Sequence, residues 1–304
     1  MQESNNAKAI EMSKTSKGPS KTAETIAMVR AGESRRPEDE RICYDPYAIR
    51  FISRDVLEFA TCNPEKYRAF LAQNERLLPG AGNSIIARVR YFDDAVNSSI
   101  GDGLEQLVIL GAGYDTRAYR IEGLKNVKIF EVDQLATQKI KVEKIKEIFG
   151  SLPGHVTYVS VDIGVDTLGQ RLLESGYDRS LKTLFIMEGL FMYLPPGIVD
   201  ETLSFIAHNS GRSSAIVFDY IPESIVDGTC ELEAGKNWQK GVTDVGEPFL
   251  FGIKEGELET FLTQRGFSNV KNVTSKDYKK AYFFGKNEGR EVNSLLSFAY
   301  AVVE

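Results

Sequence analysis

The strongest constraint on this chain is the stretch Gln106-Leu-Val-Ile-Leu-Gly-Ala-Gly-Tyr-Asp-Thr-Arg117, where a run of β-formers stops at two glycines and an acidic turn. A strand buried on both faces of a parallel sheet reads as a continuous apolar run, as residues 107–110 do here. Glycine lets the backbone turn tightly and come close to a ligand. The stretch therefore predicts a strand feeding a nucleotide-cradling loop, with Gly111 and Gly113 as its floor. Glycines after a strand also make ordinary turns, so the reading needs support from elsewhere in the chain.

The dinucleotide fingerprint requires Gly-x-Gly-x-x-Gly, and this chain has Thr116 where the third glycine should stand. A bound pyrophosphate is thereby disfavoured, and Asp115 in the same loop would repel phosphates. A ligand with a cationic end suits the loop better: S-adenosylmethionine carries an ammonium and a sulfonium, and NAD does not. The next apolar run, 127–132, ends in Asp133, about twenty residues past the glycines, where a carboxylate can accept both hydrogens of a ribose diol. Asp133 could instead cap the helix that follows it.

Strand-like runs at 155–161, 184–194 and 214–220 alternate with helical patterns at 134–149 and 167–175. Two further strands are expected near 267–273 and 280–285, and residues 294–302 are apolar enough to dock. The fold class that follows is α/β: a doubly wound, Rossmann-like sheet, mostly parallel with an antiparallel edge strand. Ligands bind such sheets beyond the strand C-termini, where the strand order reverses. Asp115, Asp133, Asp162 and Glu188 all follow predicted strands, so four acidic groups are expected on one rim. Glu188 interrupts an apolar run and needs a partner.

Around this core, residues 1–20 read as a disordered tail, 21–105 as an N-terminal helical cap, and 106–304 as the ligand-binding core. An insertion at 221–253 holds the only tryptophan, Trp238, near Phe249 and Phe251, and reads as a lid. With 304 residues and a net charge of -6, the chain has no general basic field for nucleic acid or an anionic membrane. Three widely spaced cysteines, with no Cys-x-x-Cys pair, point to a reducing, cytoplasmic setting and to no metal site. No apolar leader or membrane span is expected.

Several short patterns together resemble the leucine carboxyl methyltransferase-like family of S-adenosylmethionine-dependent O-methyltransferases, over residues 22–285. They are Thr22-Ala23 with Arg30-Ala31, Asp45-Pro46-Tyr47-Ala48, Ala87-Arg88 with Phe92-Asp93-Asp94, the Leu110–Arg117 loop, Glu131-Val-Asp133, Asp162-Ile163, Glu188-Gly189 with Met192-Tyr193-Leu194, and Gly246-Glu-Pro-Phe249. The resemblance implies that Asp133 holds the ribose, that Asp162 and Ile163 border the adenine, and that Gly111 and Gly113 pass beneath the methionine part, with Asp115 and Gln134 also among the expected cofactor-binding residues. Arg88, and secondarily Arg30, would hold the cofactor carboxylate, while Glu188 would face its methionine end.

The resemblance makes the chain a methyltransferase whose sulfonium cofactor already activates the methyl group, so the protein mainly places an oxygen in line and excludes water. Neither His155 nor His208 falls on the expected rim, which leans toward a carboxylate acceptor that needs no base. Tyr193 is the weak candidate for a catalytic group. A small-molecule acceptor is expected, in the microbial manner. The competing readings are a methyltransferase of protein C-terminal carboxylates, a non-catalytic S-adenosylmethionine-binding protein, and a nicotinamide-dependent oxidoreductase.

Overall fold

A computed structural model describes residues 20–162 and 166–304. Its strands are β1 (Gln106–Leu110), β2 (Lys128–Asp133), β3 (Val156–Ser160), β4 (Thr183–Met187), β5 (Ala215–Tyr220), β6 (Phe267–Val273) and β7 (Ser297–Val303). They form one sheet in the order β3-β2-β1-β4-β5-β7-β6. The first five pair in parallel, and β7 runs antiparallel between β5 and β6. The order reverses between β1 and β4, so the loops after these two strands lie at the switch where such sheets bind ligands.

Twelve helices accompany the sheet among the described residues: α1 (Lys21–Ser34), α2 (Arg54–Cys62), α3 (Pro64–Leu77), α4 (Ala81–Gly101), α5 (Arg117–Arg120), α6 (Leu135–Phe149), α7 (Leu168–Glu174), α8 (Pro196–His208), α9 (Glu223–Val226), α10 (Glu233–Asp244), α11 (Leu258–Thr263) and α12 (Ser275–Tyr282). Every residue of β1, β4 and β5 is buried, as strands covered on both faces must be. One apolar cluster joins α4 through Ile86, Val89, Phe92 and Val96 to one face of the sheet, and a second joins α8 through Val199, Leu203 and Ile206 to the other. No helix among the described residues is long and apolar enough to cross a membrane.

Residues 280–285, expected as a strand, instead end α12 and enter a single 3-10 turn. The reason is local: Thr274 and Asp277 form a capping box that starts a helix, and Tyr278 becomes its buried anchor, donating to Asn293 O at 2.8 Å. The last strand is β7, whose alternating burial seats Phe298, Ala299 and Ala301 in the core. Helices α2 and α3, unassigned by periodicity, are amphipathic but bury no residue.

Cys43 and Cys230 are buried and Cys62 is exposed. Burial, with the nearby Asp93 and Glu33, pushes the Cys43 thiol up to about 12. An aromatic disulfide reagent is expected to label one thiol in the folded protein and all three after unfolding; rapid labelling of a second would contradict the packing around Cys43.

Candidate active site

The rim is built from the ends of β1, β2 and β4. After Leu110 the backbone takes positive φ at Gly111 and Gly113, and the Ala112 amide bonds Val132 O at 3.0 Å, so the loop folds toward β2. A side chain at Gly113 would be strained at φ 43°, and its Cβ would stand 3.4 Å from Ala23 Cβ of α1, which covers the loop. Asp133 accepts from the Gly113 amide through one oxygen and from the Gln134 amide, at 2.6 Å, through the other. The helix cap is Gln134 rather than Asp133. Each Asp133 oxygen therefore keeps a lone pair beyond its backbone bond, which is what a ribose diol needs. Burial raises the Asp133 carboxyl above the usual range, and the two amides work against that rise.

Asp115 and Glu188 lie on the same rim, and both are already engaged. Arg117, 1% exposed, donates Nη1 to Asp115 Oδ2 at 2.5 Å and to Glu188 Oε2 at 2.6 Å, and Nε to Asp93 Oδ1 at 2.7 Å. Arg120 clasps both oxygens of Asp93 at 2.7 and 2.8 Å. Arg88 donates Nε to Glu188 Oε1 at 3.2 Å and Nη1 to Asp219 Oδ2 at 2.6 Å, while Asp219 Oδ1 accepts from the Gly189 amide at 2.6 Å. Gly189 has a reason to be glycine in its positive φ of 63°, and its backbone lies against the Arg88 guanidinium, which a Cβ there would just touch at 3.4 Å.

Three arginines thus face four carboxylates, Asp93, Asp115, Glu188 and Asp219. With all seven ionised the cluster carries one net negative charge, which favours a cationic ligand end at low dielectric. Burial opposes the charge on Asp115, yet Arg117 and Lys141 hold its carboxyl well below the usual range. At Asp219 burial wins over Arg88 and the carboxyl is raised.

Arg30 binds the same loop from outside: its Nη2 donates to Tyr114 O at 2.5 Å and its Nε stands 3.0 Å from Asp45 Oδ2. Asp45 in turn accepts from the Tyr47 and Ala48 amides, both at 3.0 Å. Asp162 is exposed just past β3, its amide bonded to Asp166 Oδ2 at 2.9 Å; Ile163 lies outside the described residues. His155 and His208 bond backbone carbonyls, of Ala118 and Ser204, away from the rim. Tyr193 packs on Phe249, which packs on Trp238, with ring centroids 5.3 and 5.4 Å apart. Burial, then Glu247, drives the Tyr193 phenol far above its ordinary value, so at neutral pH it is a donor and not a base.

Sequence reasoning passed over Arg117 as a functional residue and did not find Asp219. A signal for Asp219 existed: it is a lone carboxylate in the apolar run of β5, the same anomaly that singled out Glu188.

The sequence and fold that carry this site resemble those of known proteins. The family description "Leucine carboxyl methyltransferase" matches residues 23–207, more than half of the chain. The chain belongs to the leucine carboxyl methyltransferase family. A relative from Bacillus subtilis (strain 168), named as the S-adenosyl-L-methionine-dependent methyltransferase YktD, is 27% identical over 255 residues, covering 84% of this chain and 82% of its own. A Mycobacterium avium (strain 104) protein named for the same activity is 30% identical over 268 residues, covering 85% and 88%. The fold matches a crystal structure titled as a methyltransferase from Thermobifida fusca YX at a TM-score of 0.57 and 15% identity, covering 79% of this chain and 89% of that one. This member of the family is therefore an S-adenosylmethionine-dependent methyltransferase. Its glycine floor and the spare lone pairs of Asp133 fit that cofactor.

Proposed function

We propose that this methyltransferase moves its methyl group to an oxygen of a small-molecule acceptor. The observation that carries the reading is the rim itself, where Asp133 is free to take a diol and Glu188 is fixed by two arginines beside a glycine floor. The bound cofactor would supply an activated methyl group, so the protein's task is placement. Asp133 would bind the ribose, Glu188 would face the ammonium, and the free N–H groups of Arg88 and Arg30 would orient the cofactor carboxylate. Asp162 would border the adenine. The family description, naming carboxyl methylation, supports oxygen as the acceptor atom.

Helix α1 and the insertion at 221–253 support a small acceptor by closing over the same rim. Ser20 and Thr22 donate to Glu247, the Ser20 amide donates to Thr137 at 3.2 Å, and the Leu250 amide bonds Met192 O at 2.7 Å. Exclusion of water from such a closed site strengthens every charge within it.

Calorimetric titration with S-adenosylhomocysteine, and separately with NADH, tests the cofactor map. Binding of the first alone is expected, and binding of NADH would overturn it. Asp133→Ala is expected to weaken S-adenosylhomocysteine by about 1.5–3 kcal/mol, the worth of hydrogen bonds to a charged group. Unchanged affinity in a folded variant would remove Asp133 from the ribose site. Methyl transfer from labelled S-adenosylmethionine to a panel of acids and phenols then tests the acceptor atom.

A further inference from the structure

We infer that the acceptor is a neutral aromatic hydroxyl and that Glu247, reaching the rim from the insertion, takes its proton. This rests on the methyltransferase reading of the rim and departs from the carboxylate acceptor that the absence of a histidine base suggests.

The argument begins with where Glu247 sits. It is half-buried, and it receives the hydroxyls of Ser20 and Thr22 from the first turn of α1. Ala23, the next residue of that turn, packs on the glycine loop at Gly113. The carboxylate is therefore held one residue away from the contact that covers the cofactor floor. On its other side it is close enough to Tyr193 to disfavour the phenolate, and Tyr193 in turn senses Arg88 and Asp219. Glu247 thus extends the polar rim of Glu188, Arg88 and Asp219 toward the insertion.

The charge around it decides between acceptors. The guanidinium groups of this rim all oppose carboxylates already: Arg88 with Glu188 and Asp219, Arg117 with Glu188, Asp115 and Asp93, Arg120 with Asp93. Of the charged groups on the first turn of α1, Lys21 is exposed and Glu24 accepts the Ser53 amide. A free carboxylate acceptor would come to rest beside Glu247 and a cluster of net negative charge, which the single net positive charge of the bound cofactor would offset only in part. A neutral hydroxyl meets no such repulsion. Phe249, which is buried, and Trp238 lie beyond Tyr193, so the insertion brings aromatic rings into the same neighbourhood as Glu247.

The chemistry is balanced by the residue present. As the hydroxyl oxygen forms its bond to the methyl carbon, the carbon–sulfur pair stays with sulfur and the O–H becomes strongly acidic. Glu247 accepts that proton and later releases it to water. A carboxylate is a sufficient base because the proton leaves as the new bond forms rather than before it. Glu247 already acts as an acceptor for two hydroxyls, so its oxygens are oriented toward O–H donors.

The test uses the full chain loaded with S-adenosylhomocysteine, whose binding is measured first, so that loss of the cofactor reading is seen separately. Matched probes, 2-naphthol and 2-naphthoate, are then titrated by calorimetry into that complex, and each is assayed for methylation with S-adenosylmethionine. Naphthol is expected to bind and be methylated, with naphthoate at least tenfold weaker. Glu247→Gln keeps an acceptor for Thr22 and is expected to leave cofactor and naphthol affinity within threefold while lowering turnover about a hundredfold or more, the usual worth of a general base. Its residual rate should climb with pH as naphthol ionises by itself, a signature that a purely structural latch would not give. Binding of naphthoate over naphthol, binding of neither, or a Glu247→Gln enzyme with full turnover would each overturn the proposal.

Discussion

Replacing Arg117 with methionine is expected to cost about 3–5 kcal/mol of folding stability, read from the midpoint and slope of urea unfolding. The size follows from what the guanidinium touches. Arg117 is 1% exposed and bonds Asp93, Asp115 and Glu188, together with Val89 O at 3.2 Å. A methionine replaces the aliphatic stem but stops short of the guanidinium, which now sits 5.7 Å from the Phe92 ring centroid, so only the few atoms beyond the stem are left as a void. The cost is electrostatic: Asp115 loses its main counter-charge, and Glu188 retains only Arg88. Arg117→Lys should recover part of the loss, since one ammonium can serve two of the three carboxylates but not with the planar geometry of the fork. A methionine variant as stable as the parent would show that the cluster contributes nothing net to folding.

That cluster also marks where the sequence stopped being legible. The glycine floor, Asp133 and the parallel sheet could be read because their signals are local: an apolar run, a break, and an acid at the end of the next run. Arg88 and Glu188 were recognisable from short patterns, but what they bond to was not. Asp219 is 131 residues from Arg88, and Arg117 reaches 71 residues forward to Glu188. Partners so far apart leave no periodic trace, and only the sheet's strand order brings them together. For the same reason the partner that Glu188 was expected to need could not be named, and Asp115 and Glu188, expected together on the rim, belong to an internal charge network with Arg117.

The C-terminal region failed for a different reason. Residues 280–285 and 294–302 are both short and apolar, and a run of that length does not declare itself helix or strand. The capping box at Thr274 and Asp277 settles the first as the end of a helix, and pairing with β5 and β6 makes the second a strand.

Lys141→Met offers the other large effect, and it links the stability of the fold to the cofactor floor. Lys141 on α6 is 1% exposed; its Nζ lies 2.9 Å from Glu131 Oε2 on β2 and 3.3 Å from Ala112 O in the glycine loop. Burial raises the Glu131 carboxyl, and Lys141 is the main group opposing that rise. Without the lysine, Glu131 is left as a buried carboxylate supported only by the Tyr119 hydroxyl at 3.0 Å, and a loss of about 3–5 kcal/mol is expected.

The pH dependence has a definite sign. An acid whose folded pKa is raised above its unfolded value favours the folded state below the unfolded pKa, and that favour is lost as pH rises through the folded pKa. With Lys141 gone the Glu131 pKa rises further, so the deficit of the variant should shrink as pH is lowered toward the ordinary carboxylate range. Adding Glu131→Leu removes the stranded charge and should restore most of the stability, because Tyr119 keeps its bond to Tyr158 at 3.0 Å. The double variant still lacks the donor to Ala112 O between Gly111 and Gly113. S-adenosylhomocysteine affinity is therefore expected to stay about three- to tenfold weaker in a protein whose unfolding midpoint has recovered, the worth of about one hydrogen bond. Recovery of both together would mean that Lys141 serves the core alone, and recovery of stability without affinity would show that the buried pair beneath the loop sets the shape of its floor.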